Sequence, residues 1–250
     1  MLPLRDELPT RRVPIVNYLL IATNILAFLA LKFSVFWAGV APTRVVLGYG
    51  LVPARFWSDP SGDAITVLTS MFMHDPTGWG HLAGNMLFLW IFGDNVEDAI
   101  GSFRYVFLYF GAGLLAALIQ AAVLPGSLIP MVGASGAISG VLAAYGLLYP
   151  RSPITVLNPV LPLWLFFGPL LVLPAWLIIA EYFVGNLFRG VLTIGAREGG
   201  VAFFAHVGGF VGGALLLRVL RPNRNRDDYD KWSGWRSPPR ARRIQVQRRW

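Results

Sequence analysis

Cysteine is absent from the 250 residues, so disulfide bonds and thiolate chemistry are excluded, and redox usage says nothing about compartment. Charge is scarce as well: 14% of residues are charged against 55% hydrophobic, and the mean hydropathy is +0.57. A water-soluble core cannot absorb that much apolar surface. A bilayer can, provided the backbone polar groups are satisfied within helices or a closed barrel. The long unbroken apolar runs fit helices rather than alternating strands.

The formal net charge of +8 is not spread along the chain. Arg218 to Trp250 holds eleven basic residues against Asp227, Asp228 and Asp230, which is the whole excess; the ten basic and ten acidic residues before Arg218 cancel. This argues against a basic nucleic-acid-binding domain spread over the protein, and no nucleic-acid partner is expected. The tail 221–250, with Trp232, Trp235 and Trp250 among its arginines, reads as a disordered basic segment suited to anionic lipid at the membrane surface.

Residues 1–12 are polar and contain Arg5, Arg11 and Arg12, after which Val13 to Trp37 is apolar enough to span. That run is too long for a signal-peptide core and no small-x-small cleavage site follows it, which predicts a retained anchor. A semi-apolar loop of about 40 residues follows, with Pro42, Pro53 and Pro60, and reads as interfacial. Further spans are predicted at His81 to Val96, Phe103 to Leu124, Gly133 to Tyr149, a proline-interrupted region between Leu161 and Leu187, and Gly200 to Leu220. The stretch Ile154 to Phe188 is too long for one crossing and carries Pro159, Pro162, Pro169 and Pro174, so its first part is expected to be interfacial or broken. The prediction is an all-α polytopic bundle of six transmembrane helices over residues 13–220. An even number of spans and basic segments at both ends place both termini in the cytoplasm.

Polar side chains inside spans are costly, which makes each one a functional hypothesis. His81 and Asn85 open the second span four residues apart, hence on one helix face; hydrogen-bonded packing between helices is the plainer explanation of such a pair. The fourth span begins Gly133-Ala134-Ser135-Gly136. A serine in the first helical turn lies at the positive end of the dipole, where an oxyanion is stabilised, and flanking glycines allow close approach. Gly136 and Gly140 also form a small-residue packing face. On the last span, Gly209 and Gly213 lie on the same side as His206, so close packing of the fourth and sixth spans would set His206 against Ser135. His74, His81 and His206 have no zinc-motif spacing, and neither a metal nor another cofactor is expected. Glu181 within the fifth span carries no assignable role.

His81-x-x-x-Asn85, Gly133-x-Ser135-Gly136 and Ala205-His206-x-Gly208-Gly209, in this order on three spans, resemble the rhomboid family of intramembrane serine proteases. Gly93-Asp94-Asn95-Val96-Glu97-Asp98 is similar to the family's bacterial members. The resemblance covers roughly Pro14 to Leu220. It implies a bacterial cytoplasmic-membrane serine endopeptidase with a Ser135–His206 dyad. It also implies His81, Asn85 and the Ser135 N–H as oxyanion donors, and membrane proteins cut within their transmembrane segments as substrates. The residues agree in one respect: no Asp or Glu lies within a turn of His206. The family's better-studied members carry an aromatic one turn after the serine, stacked on the catalytic imidazole; this chain has Ser139. A catalytically inactive rhomboid-like binder and a small transporter are the alternative classes, which a fluorophosphonate, reacting only with an activated serine, separates from the protease.

Overall fold

The structure is a computed structural model that describes residues 2–192 and 202–220. The basic tail and the first residues expected of the last span, Gly200 and Val201, lie outside the described residues. In chain order the elements are β1 (Leu2–Asp6), α1 (Ile15–Phe36), α2 (Pro42–Tyr49), α3 (Pro53–Ser58), α4 (Pro60–Thr69), α5 (Gly80–Phe88) and α6 (Asp94–Ile100). They continue with α7 (Ser102–Val123), α8 (Ser135–Leu148), β2 (Pro153–Leu157), a short α9 (Trp164–Phe167), β3 (Leu170–Pro174), α10 (Ala175–Leu192) and α11 (Phe203–Leu220).

Four of these helices, α1, α7, α10 and α11, are long and apolar enough to cross a membrane, and α8 is a shorter apolar helix. The chain is an integral membrane protein with an all-α helical bundle. α8 is its centre: Gly136 to Tyr145 are all buried, and α7 and α11 flank it. Little of that packing comes from large side chains. α7 presents Ala112, Gly113 and Ala116, and α11 presents glycines on two sides. Gly208 and Gly212 meet Ile119 and Leu115 of α7, while Gly209 and Gly213 meet Gly136 and Gly140 of α8. In lipid, where apolar burial supplies no drive, such close backbone approach is what holds helices together.

The second expected span is not one regular helix. α5 passes into a π-wound turn, Leu89–Gly93, and then α6. The Leu89 carbonyl accepts from Asn17 Nδ2 of α1 at 2.9 Å, and Asn17 Oδ1 accepts from the Tyr105 hydroxyl of α7 at 2.9 Å. Glu97 of α6 accepts the Val16 and Asn17 amides at 3.1 and 2.7 Å. It thus caps the first turn of α1 with a carboxylate from another helix, where the dipole favours negative charge.

Two further differences from the sequence reading concern residues 1–12 and 153–174. Pro153–Leu157 and Leu170–Pro174 form a hairpin, and Leu2–Asp6 adds to it as an edge strand, giving an antiparallel sheet ordered β1-β2-β3. β-branched Ile154, Thr155 and Val156 suit the central strand, and Pro3 is tolerated because β1 is an edge with a register shift after Pro3. The first part of the stretch Ile154 to Phe188 is broken, as expected, and the helix itself runs from Ala175 to Leu192.

Asp6 ends β1 under the bundle, where its Oδ2 accepts from Asn95 Nδ2 at 2.6 Å and from the Tyr145 hydroxyl at 2.9 Å. Burial, reinforced by the charge of Asp94, pushes its carboxyl up to about 7. A carboxyl raised in the folded state adds stability that is fully present below its unfolded value and is lost as pH rises towards 7. Amide protection in β1 is therefore expected to fall between pH 4 and pH 8. Asp6→Asn, which keeps the acceptor oxygen, should match the parent at pH 4 and exceed its protection at pH 8. Hydrogen exchange across that range checks this, and identical pH profiles for the two proteins would refute it.

Candidate active site

Ser135 is the first residue of α8, and the segment before it is pinned on both sides. Leu51 and Met131 exchange backbone hydrogen bonds of 3.1 and 2.7 Å, and the Gly133 N–H donates to the Ser70 carbonyl at 2.9 Å. The chain turns through Gly133 at φ +124°, a conformation that L residues rarely adopt. A Cβ at Gly133 would lie 2.8 Å from His81 Nε2 and 3.5 Å from Ser135 Oγ. The missing side chain thus leaves an atom-sized opening between the His81 imidazole and the Ser135 hydroxyl. The first-turn amides of α8 have no intrahelical partner and lie at the same end.

His206 lies in the first turn of α11, and its Nε2 is 2.8 Å from Ser135 Oγ. Two contacts set this approach. Gly209 and Gly213 let α11 rest on the backbone of α8, and Gln120 Oε1 of α7 accepts the Ala205 N–H at 3.0 Å. On the other side of the imidazole, Nδ1 is 2.5 Å from Oδ1 of Asn186 on α10. Asn186 Nδ2 donates to the Tyr182 carbonyl one turn earlier at 2.8 Å.

Ser139 occupies the place where the resemblance implies an aromatic. Its hydroxyl donates to the Ser135 carbonyl at 2.7 Å and lies 2.8 Å from the Tyr182 hydroxyl. Ser139 has one hydrogen, already directed at a carbonyl, so Tyr182 is the donor in the second bond. The Tyr182 ring lies 6.0 Å from the His206 imidazole at a tilt of 37°. An aromatic does face the imidazole, but it arrives from α10.

His81 and Asn85 both border the cavity in front of Ser135, in different states. The His81 ring stands at the Gly133 opening. Asn85 is buried, and its amide nitrogen lies 3.0 Å from both the His81 carbonyl and Nε2 of His74. An amide N–H only donates, so His74 Nε2 accepts. Burial, with repulsion from His81 second, pushes His74 down to about 4 and keeps it neutral for that purpose. The sequence singled out His74 without a use for it. Nothing in the sequence marked Gln120 of α7 or Tyr182 and Asn186 of α10, polar residues within apolar helices. Glu181 is exposed on α10. The cavity measures about 1250 Å³ and reaches from Met71 and Phe88 past Ser135 and His206 to the 124–133 segment.

A polytopic helical membrane protein whose glycine-packed helices join a first-turn serine to an imidazole is the class these features define. The family model for the Rhomboid domain matches residues 61–223, and the chain belongs to the rhomboid family. It is similar to the Rhomboid protease GluP of Bacillus subtilis, 35% identical over 131 residues, which are 52% of this chain and 24% of that protein. It is also similar to the chloroplastic Rhomboid-like protein 11 of Arabidopsis thaliana, 41% identical over 76 residues, 30% of this chain and 26% of the relative. The mitochondrial Presenilin-associated rhomboid-like protein of Mus musculus is 30% identical over 139 residues, 54% and 34% of the two chains. The matched stretch thus spans between about a quarter and a third of these relatives' own length.

Proposed function

We propose that the protein is an intramembrane serine endopeptidase that cuts transmembrane segments of other membrane proteins through Ser135 and His206. The observation that carries this is the 2.8 Å approach of Ser135 Oγ to His206 Nε2 at a helix N-terminus, inside a cavity large enough for water and a peptide. His206 Nε2 takes the Ser135 proton as Oγ attacks the scissile carbonyl, and returns it to the leaving amine. Water, deprotonated by the same nitrogen, then releases the acyl group. The developing oxyanion lies in the Gly133 opening, between the His81 imidazole and the free amides at the start of α8. Gly136, Gly140, Gly209 and Gly213 support the site by bringing α8 and α11 together.

The starts of α5, α8 and α11 carry His81, Ser135 and His206 respectively. With both termini in the cytoplasm of a bacterial cell and six crossings, all three lie near the extracytoplasmic face. The basic tail then lies on the opposite side, against anionic lipid. Helix-destabilising and small residues near the cut are favoured in substrates, because an intact helix shields its peptide bonds. Co-expression with a library of tagged single-span membrane proteins tests the reading. Ser135-dependent fragments from some of them are expected, and none from any would overturn it.

The two side chains proposed for the oxyanion are expected to differ. His81→Ala removes the ring at the Gly133 opening and should cost about 3 kcal/mol in kcat/KM, on the order of a hundredfold. Asn85→Ala, whose amide is engaged by His74 and the His81 carbonyl, should cost less. Specific activity in detergent checks this; equal losses would place Asn85 at the oxyanion on the same footing.

A further inference from the structure

The proposed base has a neighbour that a two-residue mechanism does not use. Asn186 Oδ1 lies 2.5 Å from His206 Nδ1, both side chains are buried, and they come from different helices. The orientation of the amide is fixed independently, because Asn186 Nδ2 donates to the Tyr182 carbonyl at 2.8 Å. With nitrogen committed there, the atom facing the imidazole is the carbonyl oxygen, which only accepts. His206 Nδ1 must then carry the proton, which leaves Nε2 with its lone pair directed at Ser135 Oγ, 2.8 Å away. That is the tautomer a general base for Ser135 requires.

We infer that Asn186 is the positioning residue of the catalytic base, holding His206 in the Nδ1-protonated tautomer and aiming Nε2 at Ser135. The inference rests on the reading of Ser135 and His206 as nucleophile and base. A neutral amide does here what a carboxylate does in a Ser-His-Asp triad, without placing a charge in the bilayer, where a lone carboxylate is costly. Tyr182 completes the arrangement. Its carbonyl anchors the amide, its ring covers the imidazole, and its hydroxyl is tied through Ser139 to the Ser135 carbonyl.

The test uses the full chain in detergent and a fluorophosphonate probe, which reports the activated serine without knowledge of a substrate. Asn186→Leu preserves volume but removes the acceptor. It should lower the maximal inactivation rate roughly 10- to 100-fold, while the probe concentration giving half that rate changes little. Asn186→Asp restores an acceptor oxygen at the same atom and should recover most of the rate. Leu and Asp variants that are equally impaired, or a folded Leu variant with the parental rate, would overturn the inference while leaving Ser135 and His206 in place. A parent protein that is not labelled at Ser135 would remove the dyad reading, and this inference with it.

Discussion

Ser135→Ala is expected to remove cleavage of a transmembrane substrate to below detection, a loss on the order of 10⁴-fold or more, with the protein still folded. The substitution deletes one oxygen whose hydrogen bond is to His206 Nε2 at 2.8 Å. The helix start does not depend on it, because the α8 amides before Ile138 have no intrahelical acceptor in either protein and Ile138 still donates to the Ala134 carbonyl at 2.9 Å. Alanine also has the higher helix propensity. Thermal unfolding in detergent should therefore agree between the two proteins, while fragments of a reconstituted substrate disappear. Residual cleavage within tenfold of the parent would assign the nucleophile elsewhere.

Gly213→Ala should show the second largest effect, and for a different reason. A Cβ at Gly213 would run into the backbone of Gly140, and one at Gly209 into the carbonyl of Gly136. Backbone cannot rotate aside as a side chain can, so α8 and α11 must separate. Overpacking of this kind costs about 1–3 kcal/mol, and a displacement of about 1 Å between Ser135 and His206 can cost a further hundredfold in rate. Both unfolding temperature and specific activity are expected to drop. Gly185→Ala is the control: its Cβ would meet nothing within 4 Å, and both readouts should stay at the parental value. If Gly213→Ala behaved like Gly185→Ala, the close contact of α8 and α11 would not be what aligns the site.

Hydropathy alone located α1, α7, α8 and α11 to within a few residues, because a long apolar run must satisfy its backbone polar groups internally, as a helix does. Ser135, His206 and their glycines were legible for a related reason: costly polar groups beside runs of glycine demand an explanation. Asn186 and Tyr182 carried no such mark, because one amide and one phenol on an apolar helix are ordinary packing residues until tertiary structure sets them against an imidazole. His74 was visible but uninterpretable, since its partner Asn85 lies eleven residues away across a break in helical structure. The hairpin of β2 and β3 was hidden by composition. Val, Leu, Ile and Pro read equally as an interrupted span and as a short sheet, and the strand pairing of β2 with β3 and with Leu2–Asp6 decides between them.

That pairing works as a parity check on the topology. β1 precedes the first helix and β2 follows α8, yet Leu2 to Asp6 pairs antiparallel with Leu157 to Ile154. Two segments can share a sheet only on one side of the bilayer, so the chain must cross an even number of times between them. With α1, α7 and α8 as crossings the count is odd, unless the interrupted helix Gly80–Ile100, π-wound at its middle, is a crossing too. On the proposed topology of six crossings, this pairing puts the starts of α5 and α8, and with them His81 and Ser135, on the same side of the membrane.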